Sequence, residues 1–170
     1  MKNINVIGLM TGTSCDGMDL SLVNCKKNNE SIIGKTIKNH YIKYPISLTK
    51  KLLQLNTSSP AKIAKMHMEL GQFWSEKIHK WINENNFKYD LIGMHGQTVF
   101  HHSGKSEEGS LQIGDIDVIA NRLKIPVVGD FRWADIAAGG QGAPISAFAD
   151  WVLHRATGSA RAILNLGGIA

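Results

Sequence analysis

The segment Gly12-Thr13-Ser14-Cys15-Asp16-Gly17 combines the residue types that bind phosphate groups. Closely spaced glycines let backbone amides converge on an anion, and the threonine and serine hydroxyls add further donors. A carboxylate such as Asp16 or Asp19 can hold a magnesium ion directly or through water. These features predict a site for nucleotide phosphates. The plain alternative is an ordinary hairpin turn, which an Asp-Gly pair alone supports.

Two familiar nucleotide motifs do not explain this segment. A Walker A loop requires Gly-Lys-Ser/Thr at a fixed spacing, and no such triplet follows Gly12 at that spacing. A dinucleotide fingerprint requires GxGxxG between a strand and a helix, whereas the pattern here predicts that a strand follows a strand. The sequence therefore places the predicted phosphate site in a hairpin turn.

Polar residues and glycines also follow other predicted strands. His95-Gly96-Gln97-Thr98 comes directly after a buried strand, where its polar side chains can face a crevice and bind a hydroxylated ligand; the alternative is a turn whose polar groups are satisfied locally. In Asp130-Phe131-Arg132, the guanidinium can clamp a carboxylate or phosphate, or it can simply pair with Asp135. The loop from Gly139 to Pro144 leads into a predicted helix start, which also suits an anion.

Metal-centre and serine-hydrolase chemistry find no support in the residue pattern. His101 and His102 are adjacent, lack further ligands at metal-site spacing and are interpreted as exposed loop residues. Cys15 and Cys25 lie ten residues apart without a CxxC pattern, which predicts reduced, structural thiols. No G-x-S-x-G elbow marks a nucleophilic serine.

Hydrophobic periodicity predicts the elements that position these residues. Strands over 4–10 and 18–23 form a hairpin around the phosphate segment, and β-branched residues over 31–44 predict a third antiparallel strand. Ser59-Pro60 begins a long amphipathic helix that reaches about Asn85. Further strands are predicted over 90–94, 111–115 and 125–128, helices over 116–123 and 144–154, and a final apolar strand from 162 that runs into a glycine turn.

Composition and charge limit the class of protein. The 170 residues, 43% of them hydrophobic, suffice for one compact domain. No signal peptide or membrane span is predicted, so we expect a cytoplasmic protein without a membrane partner. Residues 20–90 hold twelve lysines against five acids, away from the glycine-rich motifs and without arginine. We interpret these lysines as a solvated face and expect no nucleic-acid partner; a basic nucleic-acid-binding module is the alternative.

Taken in order, five motifs resemble the successive signatures of anhydro-N-acetylmuramic acid kinases. The resemblance spans essentially the whole chain and is weakest in the lysine-rich region 26–88. The motifs are Gly8 to Asp19, His95-Gly96-Gln97-Thr98, Asp130-Phe131-Arg132, Ala138 to Pro144 and Leu164 to Ala170.

The resemblance implies an α/β fold, namely the N-terminal lobe of the actin/hexokinase/Hsp70-like (ribonuclease H-like) fold, with a mixed sheet and flanking helices. It implies a kinase lobe over 1–160 and, over 161–170, the first strand of a truncated C-terminal lobe. ATP and Mg are the implied cofactors, and a homodimer is left open. Implied ATP phosphate-binding residues are Gly12, Thr13, Ser14, Cys15, Asp16, Gly17, Met18 and Asp19, with Asn165, Gly167 and Gly168 beginning a second phosphate segment. Implied substrate-binding residues are His95, Gln97, Thr98, Asp130, Arg132 and Gln141.

This chain departs from the related pattern at three positions. Common sugar kinases of this fold place an aspartate just before the first glycine-threonine pair, where this chain has Met10-Thr11. The metal-organising role therefore passes to Asp16 or Asp19. Serine is more usual than Thr11 and leucine more usual than Cys15, and both exchanges are conservative enough to keep the loop.

The implied reaction joins hydrolysis to phosphoryl transfer. Water opens the 1,6-anhydro bridge of anhydro-N-acetylmuramic acid while O6 takes the γ-phosphoryl group of ATP, giving N-acetylmuramic acid 6-phosphate in the recycling of cell-wall sugar. The family's general base is an aspartate expected beyond Ala170, so no catalytic residue is assigned here, and this chain alone is expected to be inactive. A kinase or ATPase of the same fold acting on another substrate is the alternative.

Overall fold

The computed structural model describes residues 3–28, 31–102, 109–155 and 158–164. The strands are β1 (Asn3–Thr11), β2 (Gly17–Asn28), β3 (Ser31–Lys43), β4 (Leu91–Met94), β5 (Gln97–His102), β6 (Gly109–Ile113) and β7 (Val127–Val128). The helices are α1 (Ile46–Leu53), α2 (Pro60–Asn85), α3 (Ile116–Leu123), α4 (Phe131–Ala137) and α5 (Ala147–His154), with a 3₁₀ turn at Leu55–Thr57.

The strands form a mixed sheet with a small hairpin beside it. Five strands pair in the order β3-β2-β1-β4-β7. β2 is antiparallel to both β1 and β3, whereas β4 is parallel to β1 and β7. β5 and β6 pair separately as an antiparallel hairpin. This arrangement confirms the predicted mixed α/β fold.

The opening hairpin follows from the alternation of its residues. β1 and β2 pair from Asn3 opposite Lys26 to Thr11 opposite Met18. In β2, Met18 and Leu20 are fully buried, whereas the intervening Asp19 is exposed. One face of the hairpin therefore packs into the core and the other is solvated, as a period-two pattern requires.

Helix α2 packs into the same hydrophobic core as the sheet. Pro60 occupies its first turn after Ser59, and the helix ends before Asn86 in a left-handed conformation, so its predicted bounds are confirmed. Ser59 takes the N-cap position, but its side chain makes no capping hydrogen bond. Trp74 is fully buried, and its indole Nε1 donates to the hydroxyl of Tyr44 at 2.8 Å. The pair satisfies two buried polar groups at the centre of the core.

The other predicted elements lie at or near their expected positions. α3 matches, and β4, β6, β7 and α5 begin or end within three residues of the prediction. Residues 158–164 contain no strand, and positions 165–170 of the predicted final strand lie outside the described residues. No helix in the described part of the chain is long and apolar enough to cross a membrane.

Three elements depart from the prediction, namely α1, β5 and α4. His101 and His102 belong to β5, so the prediction of an exposed loop there is wrong. The ring of His101 is half-buried and hydrogen-bonds to Ser110 Oγ on β6 at 3.1 Å. α4 begins directly after Asp130, whose left-handed backbone (φ 60°) redirects the chain. Such a conformation is uncommon for residues other than glycine, although aspartate adopts it more often than most, and the local sequence does not signal it.

Candidate functional site

The predicted phosphate segment is the turn between β1 and β2, which we call the phosphate loop (residues 12–16). The amide of Cys15 donates to the carbonyl of Gly12 at 3.2 Å, and Cys15 itself has a positive φ of 53°. A Cβ on Gly17 would lie within 2.6 Å of three atoms of the Tyr41 side chain. The predicted strand-turn-strand geometry is therefore confirmed, and a larger residue at position 17 would require the exposed ring of Tyr41 to move.

The carboxylate of Asp16 is held within the loop. It accepts hydrogen bonds from the hydroxyl of Ser14 at 2.5 Å and from the phenol of Tyr41 at 3.3 Å. The bond from Ser14 is the main reason why the pKa of Asp16 lies below its ordinary value, and Tyr41 and the nearby Lys43 add to the effect. Asp16 is thus an ionised, exposed group whose oxygens already have partners.

Asp19 differs from Asp16 in its surroundings. It lies on the exposed face of β2, directly opposite Tyr41 in the β2–β3 register, and accepts no hydrogen bond from the described residues. Carboxylate oxygens of this kind are the hard ligands that Mg²⁺ prefers. Within the described residues, no group of three or more His, Cys, Asp or Glu side chains is arranged to hold a metal. The free oxygens of Asp19 therefore suit a magnesium ion better than those of Asp16, which already have partners.

The phosphate loop is joined to the turn that follows β4. Thr11 Oγ1 donates to the carbonyl of Gly96 at 2.9 Å. In the opposite direction, Gln97 Nε2 donates to the carbonyl of Gly12, also at 2.9 Å. We call these two hydrogen bonds the cross-tie. They bring together two motifs that the sequence identified separately.

The sequence predicts an open-crevice position for Gln97, but its side chain has 0% exposure. Its Oε1 is buried and has no hydrogen-bond partner among the described residues. An unsatisfied buried carbonyl oxygen costs about 1–3 kcal/mol. The presence of glutamine here is therefore better explained by the hydrogen bond that its Nε2 donates to Gly12 than by contact with a sugar in an open crevice. Thr98 is half-buried at the start of β5, opposite Gln112.

Arg132 lies on α4 and holds the following glycine loop. Its Nη1 donates to the carbonyl of Gly142 at 2.7 Å, while the amide of Gly142 donates to Asp135 Oδ2 at 2.7 Å. Arg132 and Asp135 thus both hydrogen-bond to the backbone of Gly142. They do not form the direct ion pair with each other that the sequence allowed as an alternative. The Nε of Arg132 is buried without a partner among the described residues, and desolvation lowers the pKa of its guanidinium. Arg132 as a whole is half-buried, and a guanidinium with an unused N–H is suited to an anionic ligand.

Arg132 and His95 line a common cavity of about 390 Å³, which we call the arginine cavity. Burial lowers the pKa of the His95 imidazole, and the nearby charge of Arg132 lowers it further, so the ring is neutral near pH 7. Its Nδ1 is buried without a partner in the described residues. The other lining residues are Leu9, Met10, Phe131, Ala143, Pro144, Ile145 and Ser146. The cavity therefore lies at the end of β1, next to the phosphate loop.

A second cavity of about 260 Å³ also has His95 in its lining, and we call it the acidic cavity. Asp115, Asp117 and Asp130 are among its lining residues. Asp115 is largely engaged, because its Oδ1 accepts the amides of Asp117 and Val118 at the start of α3. Asp130 and Arg132, two residues apart in the predicted motif, thus line different cavities.

The remaining predicted site residues are less informative. Gln141 is exposed on the loop after α4. Asn165, Gly167 and Gly168 lie outside the described residues. Sequence reasoning missed Tyr41, which has no local motif around it and comes from the region of weakest resemblance. It also missed the capping role of Asp115, although an aspartate directly before an amphipathic segment is a usual helix-start signal.

A glycine-rich loop in the first hairpin of a mixed sheet, next to a cavity lined by an arginine and a histidine among apolar residues, is the arrangement expected of a sugar kinase with the actin/hexokinase-like fold. A sequence model of the family described as anhydro-N-acetylmuramic acid kinase matches residues 4–170. The chain belongs to the anhydro-N-acetylmuramic acid kinase family, as the resemblance of its motifs implied.

Curated relatives agree with this assignment. The chain is 37% identical to the anhydro-N-acetylmuramic acid kinase of Caldanaerobacter subterraneus subsp. tengcongensis, over 96% of this chain and 44% of the relative. It is 38% identical to the enzyme of the same name from Salinibacter ruber, over 97% of this chain and 45% of the relative. The Francisella tularensis subsp. novicida relative is 35% identical over 96% of this chain and 45% of its own length. The chain thus spans less than half the length of these relatives.

Proposed function

We propose that the protein containing this chain is an ATP-dependent kinase that opens anhydro-N-acetylmuramic acid with water and phosphorylates O6. The observation that carries the proposal is the cross-tied phosphate loop beside the arginine cavity, in a chain of this family. A nucleotide held at the loop and a sugar held at the cavity would be neighbours, which phosphoryl transfer requires.

The described residues divide into two sets of proposed roles. The phosphate loop, with Met18 and Asp19 behind it, holds the ATP phosphates. Magnesium, when bound with ATP, would neutralise phosphate charge, and Asp19 is the better candidate to hold it because Asp16 is engaged by Ser14 and Tyr41. We assign Asn165, Gly167 and Gly168 to a second phosphate segment on the family resemblance alone.

The arginine cavity is the proposed sugar site. Anhydro-N-acetylmuramic acid carries a lactyl carboxylate, and the buried Nε of Arg132 is suited to receive it. The neutral imidazole of His95 can donate to or accept from a sugar hydroxyl. Thr98, Asp130 and Gln141 are weaker candidates, because Thr98 is half-buried in β5, Asp130 lines the acidic cavity and Gln141 is exposed.

The test is a direct assay of the whole protein that contains this chain, purified and supplied with Mg-ATP and anhydro-N-acetylmuramic acid. We expect sugar-dependent ADP release and a product with the mass of N-acetylmuramic acid 6-phosphate. Run in ¹⁸O-water with rapid quenching, the assay should place the label on C1 of the product and none in the phosphate. N-acetylmuramic acid, which lacks the anhydro bridge, is the control substrate. Equal ADP release with this control would refute the coupled reaction and favour a kinase for another sugar.

A further inference from the structure

The two hydrogen bonds of the cross-tie connect segments that lie 85 residues apart in the chain. They run in opposite directions, because Thr11 donates to Gly96 and Gln97 donates to Gly12. Thr11 is 3% exposed and Gln97 is 0% exposed, so water cannot easily replace either donor. Buried bonds of this kind fix relative position more firmly than surface bonds do.

Both ends of the cross-tie are themselves anchored. The carbonyl of Gly12 accepts from Gln97 and also from the amide of Cys15, the bond that closes the phosphate loop. Gly96 has a positive φ of 86°, and a Cβ there would lie 2.9 Å from the carbonyl oxygen of Ile113. The phosphate loop is therefore tied to a turn that packs tightly against β6.

The same turn reaches the proposed sugar site. His95 precedes Gly96 directly and lines both cavities, with its Nδ1 buried and unpaired among the described residues. A ligand that engages His95 fixes the residue next to one end of the cross-tie. Coupling between two sites can be carried by such a contiguous element when both ligands influence its arrangement.

We propose that Thr11 and Gln97 are positioning residues whose cross-tie couples the two ligands, so that sugar binding orders the phosphate loop and Mg-ATP binding orders the sugar turn. The inference rests on the proposed function for the identity of the ligands. The cross-tie itself can be tested without them.

Three variants distinguish the effect of losing the cross-tie hydrogen bonds from the effect of changing the packing around them. Thr11→Val keeps the shape of the side chain and removes its donor, whereas Thr11→Ser keeps the hydroxyl and serves as the matched control. Gln97→Met removes the bond to Gly12 and also the unpaired Oε1, so the fold is expected to survive.

The first measurement is amide hydrogen exchange in the free protein, resolved at the phosphate loop. We expect Thr11→Val and Gln97→Met to accelerate exchange of the Cys15 amide, whose bond to Gly12 closes the loop, by about three- to tenfold, the factor expected for one lost hydrogen bond. Thr11→Ser should exchange like the wild type. Unchanged exchange at the loop in both bond-deleting variants would overturn the proposal.

The second measurement is the dissociation constant of a non-hydrolysable Mg-ATP analogue, with and without saturating anhydro-N-acetylmuramic acid. We expect the sugar to tighten nucleotide binding by about fivefold or more in the wild type. This ratio should fall towards one in Thr11→Val and Gln97→Met and persist in Thr11→Ser. Variants that weaken both ligands but keep the ratio would show a merely structural role and overturn the coupling. If the wild type binds neither ligand, the proposed function is wrong, and hydrogen exchange still decides whether the cross-tie orders the loop.

Discussion

The guanidinium of Arg132 has one N–H bound to Gly142 and a buried Nε without a partner among the described residues. If this group receives the lactyl carboxylate, Arg132→Met should raise KM for anhydro-N-acetylmuramic acid by about 10- to 100-fold, as expected for a lost charge-assisted hydrogen bond. Steady-state kinetics measure this effect. Arg132→Lys should recover only part of it, because a lysine cannot bind a carboxylate in the same fork geometry.

An analogue of the sugar without the lactyl group provides the control for Arg132. The variant and the wild type should process this analogue with similar KM values, since no carboxylate is present to be lost. An equal rise in KM for both sugars would assign Arg132 to loop structure, through Gly142, and not to carboxylate binding.

Asp16 and Asp19 are expected to differ in function, because their hydrogen bonding differs. Asp19→Asn should raise the magnesium concentration needed for half-maximal activity by about tenfold or more, the usual size of a lost contact around a metal. Asp16→Asn should mainly raise KM for ATP, because the bonds from Ser14 and Tyr41 that shape the loop are weakened. Activity measured as a function of Mg²⁺ at fixed ATP distinguishes the two; the reverse ranking would contradict the assignment.

At the scale of the elements, helix α2 is fixed to the segment after β3 by the bond from Trp74 to Tyr44. Tyr44→Phe leaves the buried indole N–H without its partner and should lower the free energy of unfolding by about 1–3 kcal/mol. Urea unfolding measures the change. Tyr89→Phe is the matched control, since the half-buried Tyr89 makes no hydrogen bond with the described residues and should change stability much less. Equal losses in the two variants would mean that the bond contributes nothing specific.

The long elements were predictable because their signals are local. The spacing of Leu70, Trp74 and Ile78 fixes α2, and the alternation around Asp19 fixes β2. β5 and α4 were not predictable in the same way. β5 depends on pairing with β6, and α4 depends on a left-handed Asp130, both of which are set by tertiary context.

In the candidate site too, some features have local sequence signals and others depend on tertiary contacts. Residue types and glycine spacing identified the phosphate loop, the 95–98 turn and Arg132 from the sequence. The sequence contained no signal that Gln97 donates to Gly12 or that Tyr41 reaches Asp16, because each contact joins segments brought together only by the sheet.

At the scale of the whole molecule, the buried His95 predicts a pH dependence of stability. Its folded-state pKa is lowered by burial and by Arg132, so in the window between that value and the ordinary histidine value of about 6.5 the unfolded chain binds more protons. The contribution of His95 to stability should therefore be constant above about pH 7 and fall as the pH decreases through this window. Urea unfolding over about pH 5 to 8 measures the slope.

Substitution of His95 shows whether this residue causes the pH dependence of stability. His95→Gln should remove part of this slope, whereas replacement of the exposed His79 by glutamine should leave it unchanged. A slope that is the same in His95→Gln as in the wild type would show that other groups cause the acid sensitivity.

β3 lies at the edge of the sheet, and its lysines protect this edge from pairing with other copies of the chain. This strand of thirteen residues has a strand neighbour on one side only among the described residues, and Ile33 and Ile37 on it are about half exposed. Such an edge is a template for polymerisation with other copies of the chain, and natural proteins oppose this with lysines. Lys35, Lys38 and Lys43 are exposed along the same strand. Their charge repulsion favours colloidal stability at high concentration, and we expect acetylation of these lysines to lower solubility before it affects folding.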